Sequence, residues 1–130
     1  MLYILGERMT KYYVEELNNK SGCTKIRIDK VIVERETDFQ TIRIYKNNTY
    51  GLFLVLDDIQ FAETDEYKYH EPLVHPAMLL HPNPKEVFIL GGGDGLAARE
   101  VLKHLGVEKI YLVDIDGEMI NVSKKYFGEL

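Results

Sequence analysis

Apolar and polar residues alternate through the first half of the chain, from about residue 24 to residue 62. The segments Ile26–Ile28 and Ile42–Ile44 both show this period of two, which is typical of strands with one buried face. Asn47-Asn48 and Gly51 lie between two such runs, and both residue types tolerate the positive φ of a tight turn. The pattern predicts a small antiparallel β meander.

Beyond residue 64 the pattern changes to helices and uninterrupted apolar strands. Apolar runs at 86–90 and 110–113 predict two short buried strands, and helical spacing over 96–105 and 119–127 predicts a helix after each. The order of strand, glycine turn, helix and strand is that of a βαβ unit in a nucleotide-binding parallel sheet.

The fold class predicted is α/β. A small antiparallel β domain occupies residues 1–63, and the first part of a Rossmann-like, methyltransferase-type domain occupies 64–130. A helix through residues 66–71 should kink or end at Pro72, which lacks the N–H owed to an earlier carbonyl. His75-Pro76 should then mark a bend between helical segments.

Composition narrows the class of protein. The chain has 130 residues, 45% of them hydrophobic, which suits one small domain plus part of another. A net charge of −5 without a basic stripe argues against nucleic acid, and no apolar run approaches the ~20 residues of a membrane span. The single cysteine, Cys23, cannot form an internal disulfide and is expected to be inert, which fits a cytoplasmic protein.

A glycine run follows the first parallel strand, Gly91-Gly92-Gly93-Asp94-Gly95. Glycines let the backbone approach a ligand closely. The carboxylate of Asp94 would repel a pyrophosphate but attract a cation such as an ammonium or a sulfonium. Asp114, at the end of the next strand, stands where an acid accepts hydrogen bonds from ribose hydroxyls. A nucleoside site is the prediction.

Other interpretations of this segment stay open. Gly93-x-Gly95-x-x-Ala98 also satisfies the dinucleotide pattern. The glycines could instead form only a tight turn, with Asp114 capping the following helix.

Outside the glycine run, few residues are candidates for metal binding or catalysis. His70 and His75 would point about 140° apart on a helix, so they cannot chelate one metal ion as an i,i+4 pair does, and no metal site is predicted. Tyr69 and His70, considered alone, could equally be packing residues. No nucleophile motif of the Gly-x-Ser-x-Gly kind is present.

Several motifs carry a family resemblance through their order and spacing between about residue 24 and the end of the chain. They are Asp38-Phe-Gln-Thr-Ile42, Leu54-Val-Leu-Asp57, Gln60, Glu63-Thr-Asp-Glu66, Tyr69-His-Glu71, His75-Pro76, His81-Pro-Asn-Pro84, Gly91-Gly-Gly-Asp-Gly95, Arg99-Glu-Val-Leu-Lys-His104 and Ser123-Lys-Lys-Tyr-Phe127. In these motifs the chain resembles the amino-terminal half of the polyamine aminopropyltransferases, the spermidine synthase family.

The resemblance implies a reaction. An aminopropyl group passes from decarboxylated S-adenosylmethionine, as co-substrate and without any further cofactor, to a diamine such as putrescine. The resemblance also implies roles for individual residues. On the donor side, Gln40 would bind the methylthioadenosine portion, Asp94 would hold the aminopropyl ammonium, and Asp114 would hold the ribose. On the acceptor side, Tyr69 and His70 would line the polyamine site, with Tyr69 at the catalytic centre. The glycines of the loop, Gly91, Gly92, Gly93 and Gly95, would shape the donor site.

The chain also departs from the family pattern. Asp114 stands where the family usually has Glu, Leu96 replaces a frequent Gly, and Pro72 a frequent Met. The family's general-base Asp is expected beyond residue 130, so we expect a fragment or split subunit with little or no activity alone. The family further implies assembly as a homodimer or homotetramer.

Three alternatives compete with this prediction. An S-adenosylmethionine-dependent methyltransferase shares the glycine turn and its distant acid but would not need the β meander or the Tyr69-His70 segment. A dinucleotide oxidoreductase is disfavoured by Asp94 beside the phosphates. A non-catalytic remnant that acts as an oligomer partner is the hypothesis without enzymatic activity.

Overall fold

The computed structural model describes residues 11–16, 22–57, 59–62 and 66–127. The chain divides into two compact units, Met1–Asp65 and Glu66–Leu130. The α/β fold class predicted from the pattern of apolar residues is confirmed, with antiparallel sheets in the first unit and a parallel sheet with helices in the second.

The first unit holds two antiparallel sheets. A hairpin pairs strands β1 and β2, and a four-stranded meander follows in the order β3-β4-β5-β6. The strands are β1 (Lys11–Glu16), β2 (Cys23–Ile28), β3 (Lys30–Glu36), β4 (Thr41–Asn47), β5 (Gly51–Leu56) and β6 (Ile59–Ala62). The meander predicted from about residue 24 is found only from β3 to β6, because β2 pairs with β1 in the separate hairpin.

The two central strands of the meander carry the core of this unit. Ile42 and Ile44 on β4 and Phe53 and Val55 on β5 are fully buried, because both strands have neighbours on each side. Tyr13, Ile26 and Tyr45 complete an aromatic and aliphatic cluster around Phe53 and Val55. The alternation at Ile42 and Ile44 therefore marks a buried face of β4. Strand β5 is buried on both faces, since Leu54, between Phe53 and Val55, is only 2% exposed.

The second unit alternates helices and strands: α1 (Tyr67–Leu80), β7 (Glu86–Leu90), α2 (Leu96–Leu102), β8 (Lys109–Val113) and α3 (Gly117–Tyr126). Strands β7 and β8 pair in parallel, with Phe88 opposite Tyr111. Helix α2 ends at Leu102, earlier than the predicted residue 105, and α3 begins at Gly117 rather than 119.

Helix α1 does not end at Pro72, and no break separates helical segments at His75-Pro76. It runs continuously from Tyr67 to Leu80 with both prolines inside. Pro72 and Pro76 lie on the exposed face, where carbonyls deprived of a helical donor can bind water. The opposite face buries His70, Val74 and Met78, and that packing outweighs the local cost of the prolines.

Only one face of the parallel sheet is covered. Val87 and Ile89 of β7 and Ile110 of β8 pack against Val74, Met78, Ala97 and Val101 of the helices. The alternate residues Phe88, Leu90, Tyr111 and Val113 are exposed, with Leu90 at 80%. The two strands that were predicted to be buried are therefore buried on one face only, as expected for two strands with few helices around them.

In the described part of the chain the longest helix is α1 with 14 residues, and none is long and apolar enough to cross a membrane.

Candidate functional site

The glycine loop joins β7 to α2 with a backbone that only glycine adopts readily. Gly91, Gly92 and Gly95 have φ values of 80°, 75° and 80°. The Gly91 N–H donates to the Val113 carbonyl (2.8 Å), which anchors the loop to the end of β8, and the Gly95 N–H donates to the Gly92 carbonyl (2.8 Å). A residue with a Cβ would be strained at each of the three positions.

Gly93 is required for a different reason, close approach to Asp114. Its N–H donates to Asp114 Oδ2 at 2.7 Å. A Cβ placed on Gly93 would stand 2.8 Å from that oxygen and 2.9 Å from the carboxyl carbon, so any other residue here would have to displace the Asp114 side chain. The glycine loop and Asp114, which follows β8, are thus held together by direct contact.

Asp114 does not cap the following helix. Its Oδ1 accepts from the Asp116 N–H at 2.8 Å, and it is Asp116 that caps α3, through bonds from the Glu118 and Met119 N–H groups. The capping interpretation of Asp114 was therefore wrong. Each carboxylate oxygen of Asp114 has a second lone pair. The side chain can keep its two loop bonds and still accept hydroxyl hydrogen bonds.

Asp94 lies at the tip of the loop, half-buried. One oxygen, Oδ1, accepts from the Leu96 N–H at 2.8 Å, which fixes the side chain at the start of α2. No Lys, Arg or His in the described ranges forms an ion pair with it. The carboxylate is thus oriented, and no cationic side chain in the described part of the chain neutralises its negative charge.

Tyr69 and His70 occupy adjacent positions in the first turn of α1 but different environments. Tyr69 is 62% exposed, whereas His70 is 3% exposed. Their rings contact edge to face, with centroids 5.0 Å apart and planes at 83°. The Tyr69 hydroxyl can reach solvent, and the buried imidazole of His70 is hydrogen-bonded to Glu66.

A network of charged side chains joins α1 to α2. Glu66 contacts His70 Nδ1 through Oε2 (2.8 Å) and Arg99 Nη2 through Oε1 (2.5 Å). Arg99 also donates to Glu100 Oε1, from Nε (3.0 Å) and Nη2 (2.8 Å). Glu100 in turn pairs with Lys103 at 2.5 Å. Glu66 and Glu100, both buried, are therefore each neutralised by cations.

The ionisation of this network follows from its contacts. Burial alone would raise the pKa of Glu100, but hydrogen bonds and charge attraction from Lys103 and Arg99 outweigh it and lower the pKa. The pKa of Arg99 is raised, because Glu100 and Glu66 together outweigh the opposing effect of burial. Both groups therefore stay charged at neutral pH.

Three ligand-type side chains meet beside the network. One potential ligand atom each from Glu71, His75 and Glu100 lie within 4.8 Å of one another. Lys103 Nζ is 2.5 Å from Glu100 Oε2 and 3.7 Å from Glu71 Oε1. The lysine ammonium thus supplies the positive charge that this cluster attracts. The absence of a metal site stays a prediction.

Gln40 belongs to the first unit, in the turn between β3 and β4. The Gln40 N–H donates a hydrogen bond to Thr37 Oγ1 at 3.1 Å, and the Gln40 carbonyl accepts one from the Thr37 N–H at 2.9 Å. The residue is half-buried. Its predicted role toward the methylthioadenosine portion stays a prediction.

A cavity of about 410 Å³ lies between α2, β8 and α3. Its walls are mainly apolar, including Ala98, Leu102 and Ile120, and they include Gly93 and Gly95 but neither Asp94 nor Asp114. This cavity and the acids of the loop therefore do not coincide, and the charged residues define the candidate site better than the cavity does.

Models of known families match both units. Residues 66–130 match the spermine/spermidine synthase domain, and residues 12–63 match the spermidine synthase tetramerisation domain. The chain belongs to the spermine/spermidine synthase family. The resemblance inferred from the motifs is thereby confirmed.

Relatives in the family support the assignment over most of the chain. It is 50% identical over 103 residues to polyamine aminopropyltransferase 1 of Hyperthermus butylicus, which covers 78% of this chain and 35% of that protein. The crystal structure of spermidine synthase from Thermotoga maritima superposes with a TM-score of 0.84 at 43% identity, over 89% of this chain and 42% of that one.

A second solved structure is a spermidine synthase in complex with the transition state analogue AdoDATO. It gives a TM-score of 0.86 at 41% identity and covers 96% of this chain and 43% of that chain. The chain thus spans less than half the length of these spermidine synthase family relatives.

The Glu66–Arg99–Glu100 network was not predicted from the sequence of this family member. The spacing of Glu66 and His70, four residues apart, is a signal that could have indicated a helical pair. Arg99 and Glu100 gave no comparable signal, because only the packing of α1 on α2 brings them to Glu66.

Proposed function

We propose that this chain forms the donor-binding and amine-binding part of a polyamine aminopropyltransferase. The donor is decarboxylated S-adenosylmethionine and the acceptor a diamine such as putrescine. The observation that carries the proposal is the carboxylate of Asp94, which is oriented by the Leu96 N–H and has no cationic partner within the described ranges. A buried or half-buried acid of this kind favours a cationic ligand.

On the donor side, Asp94 holds the aminopropyl ammonium and Asp114 the ribose hydroxyls. Asp114 is supported for this role by its fixed orientation, since Gly93 and Asp116 each donate one backbone hydrogen bond to it. The glycine loop Gly91–Gly95 lets the ligand approach the backbone without side chains in between. Gln40 contributes to the methylthioadenosine portion.

On the acceptor side, Tyr69 and His70 line the amine site. The exposed Tyr69 ring offers an aromatic face and a hydroxyl to a flexible cationic chain. His70 offers an imidazole nitrogen. An acidic loop together with these two residues suits two amine-bearing substrates.

The reaction needs positioning more than covalent chemistry. The neutral acceptor nitrogen attacks the aminopropyl carbon attached to the sulfonium, and a C–N bond forms as the C–S bond breaks. The bonding electrons go to sulfur, which leaves as the neutral thioether methylthioadenosine, while the nitrogen gives its proton to a base. No described residue is assigned as that base. The role of this chain is to align two charged substrates.

The first unit would serve assembly. Its match to a tetramerisation domain supports association of several copies, and we propose a homodimer or homotetramer in the cytoplasm. A single cysteine that is exposed, Cys23, suits a reducing compartment. The molecular mass measured by light scattering tests the assembly.

Calorimetric titration of the chain tests the donor site. Methylthioadenosine and decarboxylated S-adenosylmethionine should both bind, with the decarboxylated donor tighter because of its ammonium. Tighter binding of S-adenosylmethionine would instead indicate a methyltransferase, and tighter binding of NAD an oxidoreductase. Absence of binding by all four ligands would support the non-catalytic remnant. Glu108→Gln, in an exposed pair with Lys85, is the matched control for loss of a surface charge.

A further inference from the structure

Glu66 and His70 form a buried pair at the start of α1. Their side chains are 3% and 4% exposed, and His70 Nδ1 is 2.8 Å from Glu66 Oε2. The same nitrogen lies 3.1 Å from the Glu66 backbone carbonyl oxygen. Both neighbours of Nδ1 are acceptors, so Nδ1 must carry the proton and donate it.

The other oxygen of Glu66 is also committed. Arg99 Nη2 donates to Oε1 at 2.5 Å, and Arg99 is held in turn by Glu100. The carboxylate thus receives one donor on each oxygen, an imidazole on one side and a guanidinium on the other. Its plane and position are fixed by two elements, α1 and α2.

The placement of the proton decides what the opposite ring nitrogen can do. A neutral imidazole with its proton on Nδ1 has a lone pair on Nε2 and accepts hydrogen bonds there. An alkyl ammonium has three N–H donors and no acceptor. The Nδ1–H form therefore suits an aminoalkyl cation, whereas the Nε2–H form would present a donor to a donor.

We infer that Glu66 is a positioning residue that fixes His70 in the Nδ1–H tautomer and so makes Nε2 an acceptor for the ammonium or amine group of an aliphatic polyamine. The inference rests on the proposed function, because that function places His70 at the amine site. Glu66 itself acts through His70.

The pair explains why a carboxylate stands at position 66. Glutamine at this position would offer one acceptor and one donor. If its oxygen faced Arg99, its NH₂ would face Nδ1 and stabilise the Nε2–H tautomer. If its oxygen faced His70, its NH₂ would meet the guanidinium, donor against donor. Only a group with two acceptor oxygens satisfies Arg99 and the Nδ1–H of His70 together.

Nitrogen-15 NMR of the histidine rings of the 130-residue chain tests the inference directly, at a pH where the rings are neutral. The His70 signals are assigned by their loss in His70→Gln. The wild type should show the Nδ1–H tautomer, and Glu66→Gln should shift the population toward Nε2–H. Glu66→Asp keeps two acceptor oxygens and should preserve the wild-type tautomer, while Glu108→Gln should change nothing.

Titration with putrescine, followed in the same spectra, tests the link to the amine. Glu66→Gln should bind putrescine about tenfold more weakly, the loss expected when an acceptor becomes a donor, with unchanged methylthioadenosine affinity. A wild-type ring in the Nε2–H form would overturn the inference, and so would equal putrescine affinity in both proteins. If the tautomer behaves as expected but the wild type binds methylthioadenosine and no amine, the amine assignment of His70 fails. If neither ligand binds, the proposed function fails while the tautomer result stands on its own.

Discussion

The backbone N–H of Gly93 donates to the carboxylate of Asp114 at 2.7 Å, and no room remains between them for a methyl group. The contact ties the glycine loop after β7 to the end of β8. The orientation of Asp114, the acid proposed to bind the ribose, therefore depends on a residue that has no side chain.

Gly93→Ala tests this dependence. The new methyl group would displace the Asp114 side chain, so we expect a loss of about 1–3 kcal/mol in unfolding free energy and weaker methylthioadenosine binding. Urea unfolding and calorimetry measure the two effects. Gly106→Ala is the matched control, since a Cβ there meets nothing within 4 Å. Equal behaviour of the two variants would contradict the steric account.

Asp94→Asn tests the charge at the tip of the loop. Asparagine can still accept the Leu96 N–H bond but lacks the negative charge. Binding of decarboxylated S-adenosylmethionine, which carries the ammonium, should weaken by roughly 2–5 kcal/mol if the pair is desolvated. Binding of methylthioadenosine, which lacks that group, should change far less. Equal weakening of both ligands in calorimetry would reject the assigned role.

Glu100 should make stability depend on acid pH. Its pKa in the folded state lies below the ordinary value of 4.5, so its contribution is complete above that value and is lost as the pH falls through the folded pKa. Glu100→Gln should destabilise the chain by about 1–3 kcal/mol at neutral pH, because the buried side chain loses its charge-assisted bonds to Arg99 and Lys103, whose own charges remain partly exposed.

Urea unfolding at pH values from neutral down to about 3 measures this dependence. The gap in stability between the wild type and Glu100→Gln should narrow toward the acidic end. Glu108→Gln, whose carboxylate is 63% exposed, should differ little from the wild type throughout. A gap that stays constant with pH would contradict the ionised state of Glu100.

The exposed face of the parallel sheet should contribute little to stability, which gives a fourth prediction. Phe88 is 60% exposed, so Phe88→Thr should change the unfolding free energy by no more than about 0.5 kcal/mol while reducing binding of an apolar dye. Ile89→Thr, one residue along and packed against the core cluster of Val74, Met78, Ala97 and Val101, should cost about 2 kcal/mol. Similar losses of stability in both variants would show that the two faces are equally covered.

The sequence predicted the elements whose signal is local. The strand at 86–90 and the glycine loop were predicted as found, because an apolar run followed by glycines admits few other structures. The continuation of α1 through its two prolines was not predicted. It depends on the burial of Val74 and Met78 against another helix, which no local pattern shows. The exposure of Phe88 and Leu90 likewise depends on which elements lie nearby.

The residues of the candidate site likewise fall into those that local sequence indicated and those that depend on packing. Asp94 and Asp114 could be identified from their places beside the glycines and at a strand end. The contact between Glu66 and Arg99 could not be predicted, since Arg99 lies 33 residues further along the sequence and meets Glu66 only through the packing of α1 on α2. Charged residues on an apolar helix are ordinarily read as surface, and Glu100 is fully buried.

The two prolines within α1 have a consequence for its dynamics. Without amide donors at Pro72 and Pro76, the helix lacks two of the bonds that would let it persist alone. Its order depends on α2, so local unfolding should open both helices as one cooperative unit rather than fray α1 from its end. Tyr69 and His70 would then become ordered only when α2 is docked.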